Sequence, residues 1–246
     1  MTTSKSALVT GGSRGIGLGI ATRLSELGYA LTVTARDAAT LDAVAPTLKA
    51  AGAPEVVTVA ADLADRAAAD RIIDAHKSTY GSMDALVLNA GVGTAGSIAD
   101  YPMRRFDKTL DVNFRAPFAL LQGSMPLLRT AAENNPEGGA KVIALASMAG
   151  VYSEAGLAVY GATKAAMLSL IDTLNAEESG NGICGTSIAP GYVDTDMSDW
   201  TKDTIPAETM IRVADIVELA SSILALSSRA VVPRIVVNRA GAGLGA

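Results

Sequence analysis

The sequence predicts an α/β protein built on a doubly wound, seven-stranded parallel sheet with helices on both faces. Three observations carry that prediction. Short β-branched or apolar runs alternate with longer helical patterns from one end of the chain to the other. Runs such as Val142-Ile143-Ala144-Leu145-Ala146 show no polar alternation, as expected of strands covered on both faces. No composition break, linker or internal repeat divides the 246 residues, so residues 1–246 are expected to form one domain.

In chain order, the first strand is expected at 7–10, where an apolar run ends at Thr10. Residues 10–17, TGGSRGIG, then form a glycine turn opening a helix over 15–28. The second strand, 30–35, leads into a helix over 38–51. The third, 55–60, ends just ahead of Asp62-Leu63 and precedes a helix over 65–79. The fourth, 85–89, runs into Ala90-Gly91. A long helical pattern covers 103–130. The turn-rich Glu133-Asn134-Asn135-Pro136-Glu137-Gly138-Gly139 joins it to the fifth strand, 141–147. A helix over 157–178, a strand over 183–189, a helix over 213–227 and a strand over 231–237 complete the alternation. Residues 194–208 mix Asp, Thr, Met, Trp and Pro and are expected to act as a substrate lid. The Gly/Ala-rich tail, 239–246, cannot form an element alone and is expected to fray or be held by a partner.

Composition narrows the function. The chain is 49% hydrophobic and only 18% charged, which suggests elements buried on both faces or an oligomer interface. A net charge of -5 argues against a nucleic-acid partner, which needs a basic face. Residues 85–99 carry no charge but are interrupted by Asn89, Thr94 and three glycines, so no membrane span is expected. No basic segment followed by an apolar one opens the chain, so no signal peptide is expected, and the cytoplasm is the expected compartment. The lone cysteine, Cys184, lies in an apolar run and reads as a buried thiol. The lone histidine, His76, is expected on the solvated side of its helix. A His/Cys metal cluster is thereby excluded; a carboxylate site is not strictly excluded, but no metal is expected.

The glycine turn has two incompatible readings. Gly11-Gly12-Ser13-Arg14-Gly15 fits G-x-S-x-G, the nucleophile elbow of a serine hydrolase. The same residues extended to Gly17 form a turn whose bare N–H groups, at a helix N-terminus, suit a phosphate. The hydrolase reading needs a late histidine and a central strand, and this chain has neither in place. The residues that would make the turn an NTPase loop are also missing, as is a strict G-x-G-x-x-G.

Further motifs follow in order: Asp62-Leu63, Asn89-Ala90-Gly91, Asn113, Ser147, Tyr160-x-x-x-Lys164, and Pro190-Gly191 followed by Thr195. With this set the chain resembles, from Leu8 to about Val237, the compact single-domain branch of the short-chain dehydrogenase/reductase family. Within it the overall pattern is similar to the 3-oxoacyl-acyl-carrier-protein reductases. The resemblance implies a Rossmann fold and an oxidoreductase that interconverts a carbonyl and a secondary alcohol.

Tyr160 and Lys164, four apart on a helix, face the same way. A phenol titrates near about 10, and a neighbouring ammonium is expected to lower that value. Such a group can give a proton to a developing alkoxide, and Ser147 can donate a hydrogen bond to the same oxygen. The resemblance assigns these same roles; it adds that Lys164 binds the nicotinamide ribose and that Asn113 supports a water in a proton relay. Singly, each residue has an ordinary alternative: a helix-end tyrosine, a solvated lysine, a strand-end turn, a helix-breaking asparagine. Their joint order favours catalysis.

Cofactor contacts are expected from Gly11, Ser13, Arg14, Gly15, Ile16, Gly17, Arg36, Asp62, Leu63, Asn89, Ala90, Gly91, Tyr160, Lys164, Pro190, Gly191, Val193 and Thr195. Asp62 could alternatively cap the following helix. Leu88 stands where many relatives have a second asparagine. NAD-binding folds place a carboxylate at the end of the second strand; here, by resemblance, that position is Ala35, followed by Arg36, with Arg14 able to reach the same pocket. NADP(H) is therefore expected over NAD(H). Asp37 is the counter-argument, because a register shift of two would restore a carboxylate.

In the helix after Tyr160, Ala165, Ala166, Met167, Leu168, Leu170, Ile171 and Leu174 cover most of the circumference, and a homo-oligomer, dimer or tetramer, is expected. A helix buried by its own chain's loops is the alternative. The substrate is expected to be a small carbonyl or alcohol compound in a mostly apolar pocket of Met148, Val151, Tyr152, Tyr192, Met197 and Trp200. A 3-oxoacyl thioester rests on analogy, because the ending from Arg234 onward departs from that subgroup. A non-catalytic NADP(H)-binding sensor or scaffold on the same fold is the alternative function.

Overall fold

The computed structural model describes residues 5–243. Its elements are β1 (Ser6–Thr10), α1 (Gly15–Glu26), β2 (Ala30–Ala35), α2 (Ala38–Ala50), β3 (Val56–Ala60), α3 (Ala68–Tyr80), β4 (Ala85–Leu88), α4 (Met103–Leu110), α5 (Ala116–Asn134), β5 (Ala140–Leu145), α6 (Ala158–Glu178), β6 (Ile183–Pro190), α7 (Val213–Leu224) and β7 (Arg234–Val237). All seven strands pair in parallel in one sheet, in the order β3-β2-β1-β4-β5-β6-β7. The doubly wound fold expected from the sequence is therefore present. The order reverses between β1 and β4, and the crevice beyond their C-terminal ends is where such sheets bind ligands.

The strands read as continuous apolar runs because both faces are covered. Leu8, Leu86 and Val142 face a core with Ile72 of α3, Leu120 and Leu128 of α5, and Ile171 of α6. Their sequence neighbours Val9, Val87 and Ile143 face the opposite core, with Ile20 and Leu24 of α1, Leu41 and Leu48 of α2, and Ile216 of α7. Adjacent residues pointing to opposite faces is the period of a strand.

The structure departs from the sequence reading in several places. β7 starts at Arg234, not 231, because Pro233 has no N–H for the ladder. α3 starts at Ala68, not 65, because Asp62 and Asp65 accept from the N–H groups of Ala64 and Ala67 and hold 62–67 in turns. Asp62 is thus a turn residue, not the cap of α3. The pattern over 103–130 is a longer helical rod that widens into a π segment, Asp111–Arg115, between α4 and α5.

His76 is corrected outright. It lies one turn beyond Ile72 on the inward stripe of α3 and is fully buried, with Nδ1 2.9 Å from Thr32 Oγ1 and Nε2 2.9 Å from the Ser82 carbonyl oxygen. Burial lowers its pKa to about 4. Cys184 is a buried free thiol, as expected. α6 turns Met167, Leu168, Ile171 and Leu174 inward, while Ala162 and Ala165 stay exposed. The described part of the tail folds back, with Asn238 Nδ2 donating to the carbonyls of Ala242 and Gly243; residues 244–246 lie outside the described residues. Among the described residues, no helix is long and apolar enough to cross a membrane.

Candidate active site

The turn between β1 and α1 is shaped by Gly11 (φ +64°) and Gly15 (φ +55°), both in the left-handed region where a side chain is strained. Thr10 and Asn89 lock it to the end of β4. The Asn89 amide donates to the carbonyls of Thr10 and Gly11, and Thr10 Oγ1 accepts from the N–H groups of Asn89 and Ala90. Gly17 sits behind this lock, where a Cβ would come within 2.2 Å of the Gly11 carbonyl oxygen. It therefore permits close helix-strand packing and does not line the cavity, a correction to its place among the expected contacts. No side chain caps the first N–H groups of α1, which leaves them for an anion.

A cavity of about 1110 Å³ runs from this turn along the C-terminal ends of β1, β2, β4, β5 and β6. Its walls include Gly11, Ser13, Arg14, Gly15, Ile16, Arg36, Asp62, Leu63, Asn89, Ala90 and Gly91. They also include Ser147, Met148, Tyr152, Tyr160, Lys164, Pro190, Gly191, Tyr192, Val193, Thr195, Met197 and Trp200. Val151, expected in the pocket, instead packs on Ala146, Leu168 and Ala189. Leu88 is buried in the core below.

Ser147 follows β5, and its Oγ accepts from Ala149 N at 3.2 Å. Lys164, buried on α6, donates from Nζ to the Leu145 carbonyl at 2.7 Å and stands 5.7 Å from the centre of the Tyr160 ring. Burial brings its pKa down to about 8. Burial also raises the Tyr160 phenol, the Ser147 hydroxyl beside it acts in the lowering direction, and the Glu154 charge raises it further. The lowering expected from a neighbouring ammonium is therefore not seen: burial dominates, and the lowering influence comes from Ser147. Gly91 completes the group: a Cβ there would lie 3.5 Å from Lys164 Nζ.

Asn113, in the π segment, is fully buried and does not line the cavity. Its Oδ1 accepts from Val92 N at 2.8 Å, and its Nδ2 donates to Val92 O at 3.0 Å and Thr163 Oγ1 at 3.3 Å. It clamps the loop after β4 to α6.

Ala35 is the last residue of β2, where the sequence reading ended that strand. Asp37 caps α2, accepting from Thr40 N and Oγ1, so its carboxylate is committed. Arg36 has no ion-pair partner among the described residues. Arg14 does not reach freely into the pocket: its guanidinium is 2.6 Å from Asp196. Sequence reasoning missed Glu154, which lines the cavity and accepts from Tyr192 OH at 3.0 Å. The available signal was that it is the one charged residue between Ser147 and Tyr160. Asn238 and Arg239, also on the wall, lie past the last motif.

The family model described as short chain dehydrogenase matches residues 5–205. The chain belongs to the short-chain dehydrogenase family. It is an oxidoreductase of that family, acting on the CH–OH/C=O couple with a nicotinamide cofactor. This dehydrogenase is 37% identical over 194 residues to the rhamnolipids biosynthesis 3-oxoacyl-[acyl-carrier-protein] reductase of Pseudomonas aeruginosa, covering 78% of this chain and 74% of that one. It is 32% identical over 203 residues to the 2-(R)-hydroxypropyl-CoM dehydrogenase of Xanthobacter autotrophicus, covering 81% and 79%. Among solved structures, a short chain dehydrogenase of Burkholderia cenocepacia in complex with NADP superposes with a TM-score of 0.84 at 29% identity, covering 99% and 98%.

Proposed function

We propose that this dehydrogenase is an NADP(H)-dependent carbonyl reductase and secondary-alcohol dehydrogenase in which Tyr160 is the general acid and base. The observation that carries the reading is the gathering of the Tyr160 phenol, the Lys164 ammonium and the Ser147 hydroxyl in one cavity, with the bare backbone of Gly91 close to Lys164 Nζ.

The residues present fit a dinucleotide. Left-handed glycines at 11 and 15, uncapped N–H groups at the start of α1 and a cavity of about 1110 Å³ suit a diphosphate and its two nucleosides. Arg36, unpaired and next to an alanine in place of a carboxylate, suits a 2′-phosphate and supports NADP(H) over NAD(H). Asp62 and Leu63 stand at the adenine end, and Pro190, Gly191, Val193 and Thr195 along the nicotinamide end.

When bound, the cofactor supplies or accepts the hydride. The Ser147 hydroxyl donates a hydrogen bond to the substrate oxygen and orients it. Tyr160 gives its phenolic proton to that oxygen in reduction and takes it back in oxidation. Lys164 holds positive charge beside the phenol and eases formation of phenolate at the moment of transfer. Asn113 acts by positioning: it holds Val92 and Thr163 so that the loop after β4 and α6 keep their spacing.

Met148, Tyr152, Tyr192, Met197 and Trp200 bound an apolar substrate end, and residues 194–208 serve as its lid. A 3-oxoacyl thioester is the first substrate to try, on the similarity to the Pseudomonas reductase. The same reading takes residues 1–246 as one cofactor-binding and catalytic unit working in the cytoplasm. It also takes the protein as a homo-oligomer through α4, α5 and α6, where Met103 and Phe118 are exposed.

The test follows NADPH absorbance with 3-oxoacyl thioesters, small ketones, quinones, steroid ketones and sugars, each active compound repeated with Tyr160→Phe. The expected result is oxidation by one class and a loss of at least about 100-fold in the variant. Turnover indifferent to Tyr160→Phe overturns the assignment of the acid. NADPH binding without turnover of any class favours a sensor.

A further inference from the structure

Glu154 stands apart from everything the proposed reaction uses. It lies in the segment between Ser147 and Tyr160 and lines the cavity together with both of them, in a stretch otherwise walled by Met148, Tyr152, Tyr192 and Trp200. Its carboxylate has no ion-pair partner among the described residues. It is not loose, however: Tyr192 OH donates to its Oε1 at 3.0 Å, and the Tyr192 ring packs edge-on against Trp200, centroids 6.2 Å apart. Of the nearby acidic groups on the cavity wall, Asp194 is paired with Lys202 and Asp196 with Arg14. A tethered carboxylate with no ion-pair partner thus lines the same cavity as Ser147 and Tyr160.

We propose that Glu154, fixed by Tyr192, is a specificity-determining residue that selects neutral carbonyl compounds, such as 3-oxo esters and thioesters, against the corresponding free carboxylates. A substrate carboxylate seated beside Glu154 meets a like charge, whereas an ester or thioester of the same shape does not. Burial and the Glu154 carboxylate together raise the Tyr192 hydroxyl to about 12, so it stays protonated and keeps donating throughout the working range. Because Glu154 is solvent-exposed, the discrimination is modest, roughly three- to tenfold, and weakens with added salt. This inference rests on the reading of the cavity as a carbonyl-reductase site.

The experiment compares ethyl acetoacetate with acetoacetate, which share the reacting 3-oxo group and differ in charge. The ratio of their kcat/KM values with NADPH is measured for wild type and Glu154→Gln, which keeps an acceptor for Tyr192. The ratio is expected to fall roughly three- to tenfold in the variant, through a gain for the acid, and to fall in wild type as salt is raised. An unchanged ratio with turnover intact overturns the charge filter and leaves the reductase reading standing. If neither compound is turned over, the reductase reading fails for this class, and the filter is decided by binding alone. Benzamide and benzoate are then titrated into the NADP⁺ complex, followed by emission of Trp200, the single tryptophan. A preference for the amide that disappears in Glu154→Gln supports the filter; equal binding in wild type overturns it.

Discussion

The guanidinium of Arg14, in the glycine turn, and the carboxylate of Asp196, six residues past the end of β6, lie 2.6 Å apart, and both line the cavity. The two residues are 182 positions apart in the chain. Both are well exposed, so the pair adds little to stability, but it occupies one of the two cations that the sequence reading had assigned to a 2′-phosphate. Asp196→Asn should release Arg14. The expected outcome is a tighter Kd for NADPH by roughly two- to fivefold, with NADH little changed, measured by cofactor fluorescence. Weaker binding of both cofactors would mean that the pair's task is to hold the lid.

Arg36 is the cation left free at the end of β2, following Ala35. A charge-assisted hydrogen bond to a phosphate contributes about 1.5–3 kcal/mol, so Arg36→Ala should weaken NADPH by roughly 10- to 100-fold and spare NADH. Ala35→Asp should push the preference further toward NADH, since the new carboxylate repels a 2′-phosphate and accepts from ribose hydroxyls. Equal losses for the two cofactors in Arg36→Ala would remove the basis for NADP(H) preference.

What was legible in the sequence is what local chemistry determines. Strands covered on both faces must be continuously apolar, so Val142–Leu145 announced a parallel sheet, and only glycine tolerates the φ values at 11 and 15. Tyr160 and Lys164 could be paired because the helix itself sets their spacing. The features that were not legible depend on partners distant in the chain. His76 looked like a surface residue because its partners, Thr32 and the Ser82 carbonyl, come from another strand and a loop. Asn113 was recognised, yet its grip on the Val92 backbone leaves no trace in side-chain identity. Glu154 acquired significance only once Tyr192, 38 residues further along the chain, was found to hold it.

Asn113→Ala would leave the N–H and C=O of Val92 without the partners they have in the folded state. Losing a buried donor or acceptor's partner costs about 1–3 kcal/mol, so a lower urea midpoint is expected together with a lower kcat. Tyr160→Phe should lower kcat without that loss of stability. A variant at Asn113 that keeps wild-type stability while losing activity would argue that its contribution is chemical and not positional.

The buried His76 sets the behaviour toward acid. Its folded-state pKa is about 4, lowered by burial, against about 6.5 in an unfolded chain. Between those values the unfolded state binds more protons than the folded one, so stability falls as pH falls through that window. The stabilisation is fully present above about pH 6.5; about 2 kcal/mol should be gone by pH 5 and about 3 kcal/mol by pH 4. His76 is the chain's single histidine, so the window above about pH 5 is mainly its own. The carboxyls of Asp37, Asp65, Glu178 and Asp215, held below their usual value by hydrogen bonds, add their losses below about pH 5, while Asp84, raised by burial, acts in the opposite direction. Urea unfolding at pH 7.5 and pH 5 measures the drop directly. His76→Gln, which cannot take up the proton, should start from lower stability at pH 7.5, because the fit to Thr32 and Ser82 is imperfect, and should show little further loss at pH 5. A wild-type midpoint that stays level between the two pH values would mean that His76 is not held neutral by burial.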